Sequence, residues 1–196
     1  MMLKQPSPNR ALTRTEMKDL VTFHGGPAAV RQLLLQQESH RFSVFTNVRL
    51  GGLLRRSRVD LIEELLQKEF RVDDKTIQVL LDSAVRMTNS PQCHSIKLVI
   101  ATPKALGLKD GGFLSDIYKA AATQGLVLCP DDTALELIRQ HDKGWTKERH
   151  IIIASKPIKI CSLYHLFAAN ALKLWTVTGD LGHHFEPNQK FLFRIL

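Results

Sequence analysis

Cysteine is scarce in this chain, and what there is does not pair. Cys93, Cys129 and Cys161 are the 3 cysteines among 196 residues. They stand far apart and form no CxxC, and an odd number argues against a closed disulfide framework. The chain is therefore not read as a small disulfide-stapled secreted fold, and a reducing compartment is expected. Long apolar runs are also missing. The opening MMLKQPSPNRALTR is polar, basic and proline-containing where a secretory leader needs an apolar core. The stretch from Ile158 to Val177 approaches membrane-spanning length but carries Lys159, His165, Asn170 and Lys173, each costly in hydrocarbon. It reads as two strands, and the chain as cytoplasmic with no membrane partner. Glycine and proline, 11 and 8 in number, are scattered, which excludes collagen-like and low-complexity classes.

Nucleotide and metal signatures are absent as well. Gly25-Gly26 and Gly51-Gly52 fit neither GxGxxG nor a P-loop, because no GK[ST] follows. His183 and His184 are adjacent, but neighbours on a strand point to opposite faces, and there is no HxH or HExxH. No metal and no cofactor are expected.

What is present suits a folded protein of one domain or two small ones, with 44% hydrophobic and 23% charged residues. The net charge of +8 favours nucleic acid, acidic proteins or anionic lipid as partners. It is evenly spread: residues 1–95 carry 14 basic and 10 acidic side chains, and residues 96–196 carry 13 and 9. Residues 1–12 read as a disordered lead-in. Thr13 and Glu16 have capping-box spacing, Pro27 suits the first turn of a second helix, and Ser57 is a plausible cap for a third carrying Val59, Ile62, Leu65, Leu66 and Phe70 on one face. Asp73 or Asp74 caps a fourth through Ile77, Leu80, Leu81, Ala84 and Val85. The stretch through Phe42, Phe45 and Val48 reads as irregular. After the turn chemistry of Asn89-Ser90-Pro91, β-branched runs begin at Ser95–Ala101 and return at 150–154, 163–167, 172–177 and 191–195, with helices near 113–123 and 130–141 between them. The expected fold is α+β: a helical module over 13–90, then a small α+β domain over 95–196 with an antiparallel sheet.

Three groups of residues could carry chemistry. Cys129 stands at the start of a helix, where the dipole favours thiolate; His141 or His150 would serve as base and Asp132 or Glu148 as orienting acid. Asp131 and Asp132 oppose thiolate there, and a cysteine closing the apolar run Leu126–Leu128 also reads as a small buried hydrophobe. Arg49, Arg55, Arg56 and Arg58 surround Gly51-Gly52 and could bind phosphate, or form a solvated face balanced by Glu63, Glu64 and Glu69. The two helices over 57–88 resemble a helix-turn-helix in spacing only, since the second opens on Asp73 and Asp74, which phosphate repels.

The run DGGFLSDIYKAAATQGLVLCPDD, the segment ERHIIIASKPI and the closing LKLWTVTGDLGHHFEPNQKFLFRIL resemble a family of small bacterial proteins without a known activity. Its members share an EIY-type helix, a GL-x-LCP-x-E step, a strand ending in P-I and a closing FVFR strand. The resemblance covers about residues 96–196 and falls on Ile117, Tyr118, Gly125, Cys129, Pro130, Asp132, Gln140, Glu148, Pro157, Trp175 and Phe193. It departs at His141, where the family tends to have Tyr, and at Arg139, one place beyond the family's arginine. It implies a bacterial, non-secreted α+β domain. Taken together, the sequence points to a non-enzymatic bacterial cytoplasmic protein that binds a macromolecular partner, foremost another protein or a second copy of itself as a homo-oligomer. A thiol-dependent hydrolase or transferase using Cys129, and a nucleic-acid-binding accessory or regulatory protein using the four arginines, are the alternatives.

Overall fold

The computed structural model describes residues 42–52, 57–88, 90, 92–140 and 150–195. The lead-in and the helices expected over 13–39 lie outside them, as do Arg55, Arg56, His141 and Glu148. From the amino end the described elements are β1 (Val44–Leu50), α1 (Arg58–Gln67), β2 (Arg71–Val72), α2 (Asp74–Leu81), β3 (His94–Ala101) and β4 (Gly112–Phe113). There follow α3 (Leu114–Thr123), β5 (Leu126–Val127), α4 (Thr133–Gln140), β6 (Ile151–Ile153), β7 (Ile158–Ile160), β8 (Leu163–Ala169), β9 (Lys173–Thr178), β10 (His184–Phe185) and β11 (Lys190–Ile195).

Local chemistry accounts for the helix starts. The Ser57 hydroxyl accepts from the Asp60 amide at 3.1 Å and the Asp60 carboxylate accepts from the Ser57 amide at 2.8 Å, a reciprocal cap for α1. Asp73 caps α2 by accepting from the Thr76 amide at 2.8 Å. The sequence pattern carries α2 on to Val85, but the helix ends at Leu81. There the Asp82 carboxylate accepts from the Ala84 amide at 2.8 Å, a local turn that competes with further helix.

The strands form one nine-stranded mixed sheet in the order β1-β3-β11-β6-β8-β9-β2, with β5 also paired to β11 and β7 to β8. β11–β6 and β2–β9 are parallel and the other pairs of this sheet antiparallel. β4 and β10 form a separate two-stranded ribbon. Period-2 alternation on β11 sends Leu192 to one face and Phe191 and Phe193 to the other, all fully buried. On the Leu192 face, α1, α2 and α4 pack Leu61, Leu65, Leu80, Leu135 and Ile138 over Val48, Leu98, Ile153 and Phe167. On the other, α3 packs Leu114, Ile117 and Ala121 over Val99, Ile152 and Leu166.

This arrangement corrects the expected fold. The described part of 13–90 is not a helical module, because Val44–Leu50 is a strand paired along β3, and α1 and α2 share a core with strands of the second half. Nor is the sheet antiparallel throughout. β1 is hard to see in sequence because a bulge between Val44 and Thr46 shifts its register, and Phe42, Phe45 and Val48 recur every third residue instead of every second. The glycine pair after it is shaped by packing. Gly51 has φ +77°, and a Cβ there would come within 2.8 Å of the Gln92 carbonyl oxygen. The apolar stretch from Ile158 to Val177 supplies three strands, β7, β8 and most of β9, where two were expected. Among the described residues no helix is long and apolar enough to cross a membrane.

A shared core makes a test. Truncating Leu50, fully buried in β1, should cost about 2–5 kcal/mol. In Leu50→Ala, amide hydrogen exchange should accelerate in β6, β8 and β11 as well as in β1 and β3. Loss confined to residues before 90 would instead indicate an independent first half.

Candidate functional site

The site is built where the sheet divides. β6 lies between β11 and β8 as far as Ile153. Beyond Ala154 the chain follows β8 alone as β7, while β11 continues beside β5 through Arg194–Val127 and Ile195–Leu126. Ala154 spans the parting: its amide donates to the Leu192 carbonyl at 2.9 Å and its carbonyl accepts from the Cys129 amide at 2.7 Å. Lys156 and Pro157 lie at the corner of this fork.

Cys129 sits inside it. The residue is 4% exposed, and its thiol donates to the Leu192 carbonyl at 3.4 Å. Burial pushes the thiol up to about 12, against the opposing pull of the Arg194 charge. A protonated thiol given to a backbone carbonyl in the core is a packing group rather than a nucleophile. Tyr118 closes the same region from α3, its hydroxyl donating to the Ser155 carbonyl at 2.7 Å and its ring meeting Phe193 edge-on at 6.3 Å. Burial holds that phenol protonated.

Asp132 has a structural task. Its carboxylate accepts from the Thr88 amide at 2.7 Å and the Thr88 hydroxyl at 3.0 Å, while its carbonyl accepts from the Glu136 amide at 3.0 Å in the first turn of α4. Asp131 accepts from the Arg86 amide at 2.9 Å. The two acids thus fasten the segment after α2 to the start of α4. Burial raises both carboxyls; bonds to Thr88 and Arg86, and for Asp131 the charges of Arg86 and Lys156, oppose the rise.

The fastened segment forms one wall of a cleft of about 570 Å³, and the fork corner forms the other. Its polar lining is Ser83, Arg86, Thr88, Asp131, Lys156 and Lys159. Three of the lining residues are cationic and one is a carboxylate, an excess of two positive charges among them. Such a concavity concentrates anions.

The arginine cluster is divided. The Arg49 backbone is held from both sides by the Gln140 side chain, which accepts from its amide at 2.9 Å and donates to its carbonyl at 2.7 Å. The Arg58 guanidinium donates to the carbonyls of Leu80, Leu81 and Asp82, capping the end of α2. Arg58 thus has partners of its own within the fold. His150 is exposed and meets Trp175 edge-on at 5.2 Å, so the described members of the Cys129 grouping serve separate neighbours. His183 packs against Phe185 and His184 against Phe113. Among the described residues no group of three or more His, Cys, Asp or Glu is placed to hold a metal ion. The cations of the cleft were not read from sequence as a site. Their signal is Lys156-Pro157-Ile158-Lys159, two lysines around a proline at the break between two apolar strands.

Comparisons with protein-family models, curated proteins and solved structures found no match.

Thiol counting tests the placement of Cys129. Cys93 and Cys161 are exposed and should react with a disulfide reagent in the folded protein, whereas the Cys129 thiol should appear only on unfolding. A third fast thiol in the native protein would contradict its burial. Asp132 gives a pH test. Its native pKa is raised by burial, so folding favours the protonated carboxyl relative to the unfolded chain; this contribution is complete below the ordinary aspartate range and is lost as pH rises through the raised native value. Asp132→Asn retains partners for Thr88 without the charge. Measured by urea denaturation, its stability relative to the wild type should therefore improve from pH 3 to pH 7, and a flat difference would show that the buried charge carries no cost.

Proposed function

We propose that this chain is a non-enzymatic binding protein whose partner is another protein, and that the basic cleft at the strand fork receives an acidic segment of that partner. The cleft is the supporting observation: Arg86, Lys156 and Lys159 line a concave space together with a single carboxylate, Asp131. The Asp131–Arg86 and Asp132–Thr88 bonds set one wall before any ligand arrives, so little ordering is left for binding to impose. The overall charge of +8 steers acidic partners towards the molecule from a distance.

A buried, protonated Cys129 speaks against the thiol-enzyme alternative. Arg58 is occupied at the end of α2, and α2 opens on Asp73 and Asp74, which weighs against a nucleic-acid reading of that surface. Cytoplasmic residence belongs to the same proposal, since exposed Cys93 and Cys161 are free thiols suited to a reducing compartment. The bacterial kinship implied by the resemblance over 96–196 stays with it.

Fluorescence anisotropy with the full chain and a labelled twelve-residue glutamate-rich peptide provides the test. Binding should weaken steeply with salt. The double reversal Arg86→Glu with Lys156→Glu should reduce affinity by about tenfold or more. Unchanged binding in that variant, or tighter binding of a DNA oligomer of equal charge, would overturn the reading.

A further inference from the structure

The basic cleft has an apolar neighbour. Lys156 and Pro157 line both it and a second, mainly apolar cavity of about 380 Å³, whose other walls are Tyr118, Leu128, Tyr164, Leu181 and Gly182 with one carboxylate, Asp180, so that the peptide's acids are expected on the Arg86 side and not here. Since the Tyr118 hydroxyl is given to Ser155, that residue offers the cavity mainly its ring. Tyr164 pairs across the strands with Lys159, whose ammonium lies 5.6 Å from the centre of its ring. One cation thus lines the charged cavity while lying over an aromatic wall of the apolar one. Leu181 is 51% exposed, yet its backbone is anchored, its carbonyl accepting from the Ser115 amide at 3.0 Å at the start of α3. An exposed leucine on fixed backbone beside two tyrosines is a preformed apolar contact, and aromatic and aliphatic anchors in such pockets dominate the affinity of peptide segments.

We propose that the two cavities form one bipartite peptide site, which selects an acidic protein segment carrying a bulky aliphatic or aromatic side chain beside its acids. This deepens the acidic-segment function above and rests on it. The acidic side chains face Arg86, Lys156 and Lys159, and the bulky side chain enters between Tyr164 and Leu181. An extended peptide advances about 3.3 Å per residue, so two or three residues span roughly 7–10 Å, about the reach of a lysine side chain. The bulky residue is therefore expected within two or three positions of an acid. Charge sets the encounter and the apolar anchor sets the residence time.

The experiment uses the full chain and four labelled probes: a glutamate-rich decapeptide with one central phenylalanine, the same peptide with alanine there, the phenylalanine peptide with lysine replacing glutamate, and a single-stranded DNA decamer. The phenylalanine peptide should bind roughly 10- to 100-fold more tightly than its alanine twin, the span expected for burying one large apolar side chain. Leu181→Ser, at an exposed position, should erase much of that difference while leaving the alanine peptide's affinity unchanged, whereas Tyr164→Ala, which also removes the ring under Lys159, should weaken both peptides. Equal binding of the two acidic peptides would overturn the bipartite site and leave the acidic cleft standing. If neither acidic peptide binds, both proposals fail. Lysine-peptide binding equal to that of its acidic counterpart would overturn the charge half. DNA binding tighter than the phenylalanine peptide would overturn a protein segment as the ligand.

Discussion

Two hydrogen bonds at Ala154 hold the sheet together at the point where it divides. The amide of this residue closes the last rung towards β11 and its carbonyl takes the Cys129 amide, so the strand that leaves β11 and the chain that replaces it beside β11 are tied to the same peptide. Unpaired backbone at such a parting would be costly in the interior. With these bonds made, Cys129 fills the inside of the fork, Tyr118 closes on Ser155, and Lys156 and Pro157 are presented at its corner. The cleft is thus a by-product of backbone accounting in the sheet, and its cations stand on strand and loop positions that the core keeps rigid.

The opposite wall depends on two adjacent acids, Asp132 buried and Asp131 half-buried. Asp131 and Asp132 resist ionisation in their surroundings and remain there because backbone and hydroxyl donors from the segment after α2 meet them. Lost area alone would not fix a loop so specifically; hydrogen bonds to defined amides do. In consequence Arg86, which follows a short turn and would otherwise wander, has its backbone pinned at the rim.

Much of the secondary structure was legible in the sequence where a local rule decides it. Ser57 with Asp60, Asp73 with Thr76, and the alternating Phe191-Leu192-Phe193 each announce their element through neighbours a few residues away. What escaped was decided at a distance. The bulge in β1 depends on its register against β3, and the insertion of β11 between β3 and β6 depends on contacts nearly a hundred residues apart in one case, neither of which leaves a periodic trace. The site was less legible still. Cys129 and the arginines around Gly51-Gly52 drew attention because their residue types are associated with chemistry, yet packing assigns Cys129 to the core and Arg58 to a helix end. Lys156 and Lys159 look unremarkable until the fold brings Arg86 to face them.

The central place of β11 also bears on how the protein comes to be made. Its neighbours β3, β5 and β6 all precede it in the chain, and none of them adjoins another of the three in the finished sheet except through it. Until residues 190–195 have been made, β3 and β6 therefore present open edges to which no other described strand pairs. Until β11 is made, Val99, Ile152 and their neighbours lack the packing of Phe191 and Phe193. Assembly of this sheet is therefore expected to wait until residues 190–195 have been made, leaving a time window in which a cell's holding factors have unpaired strand edges to guard.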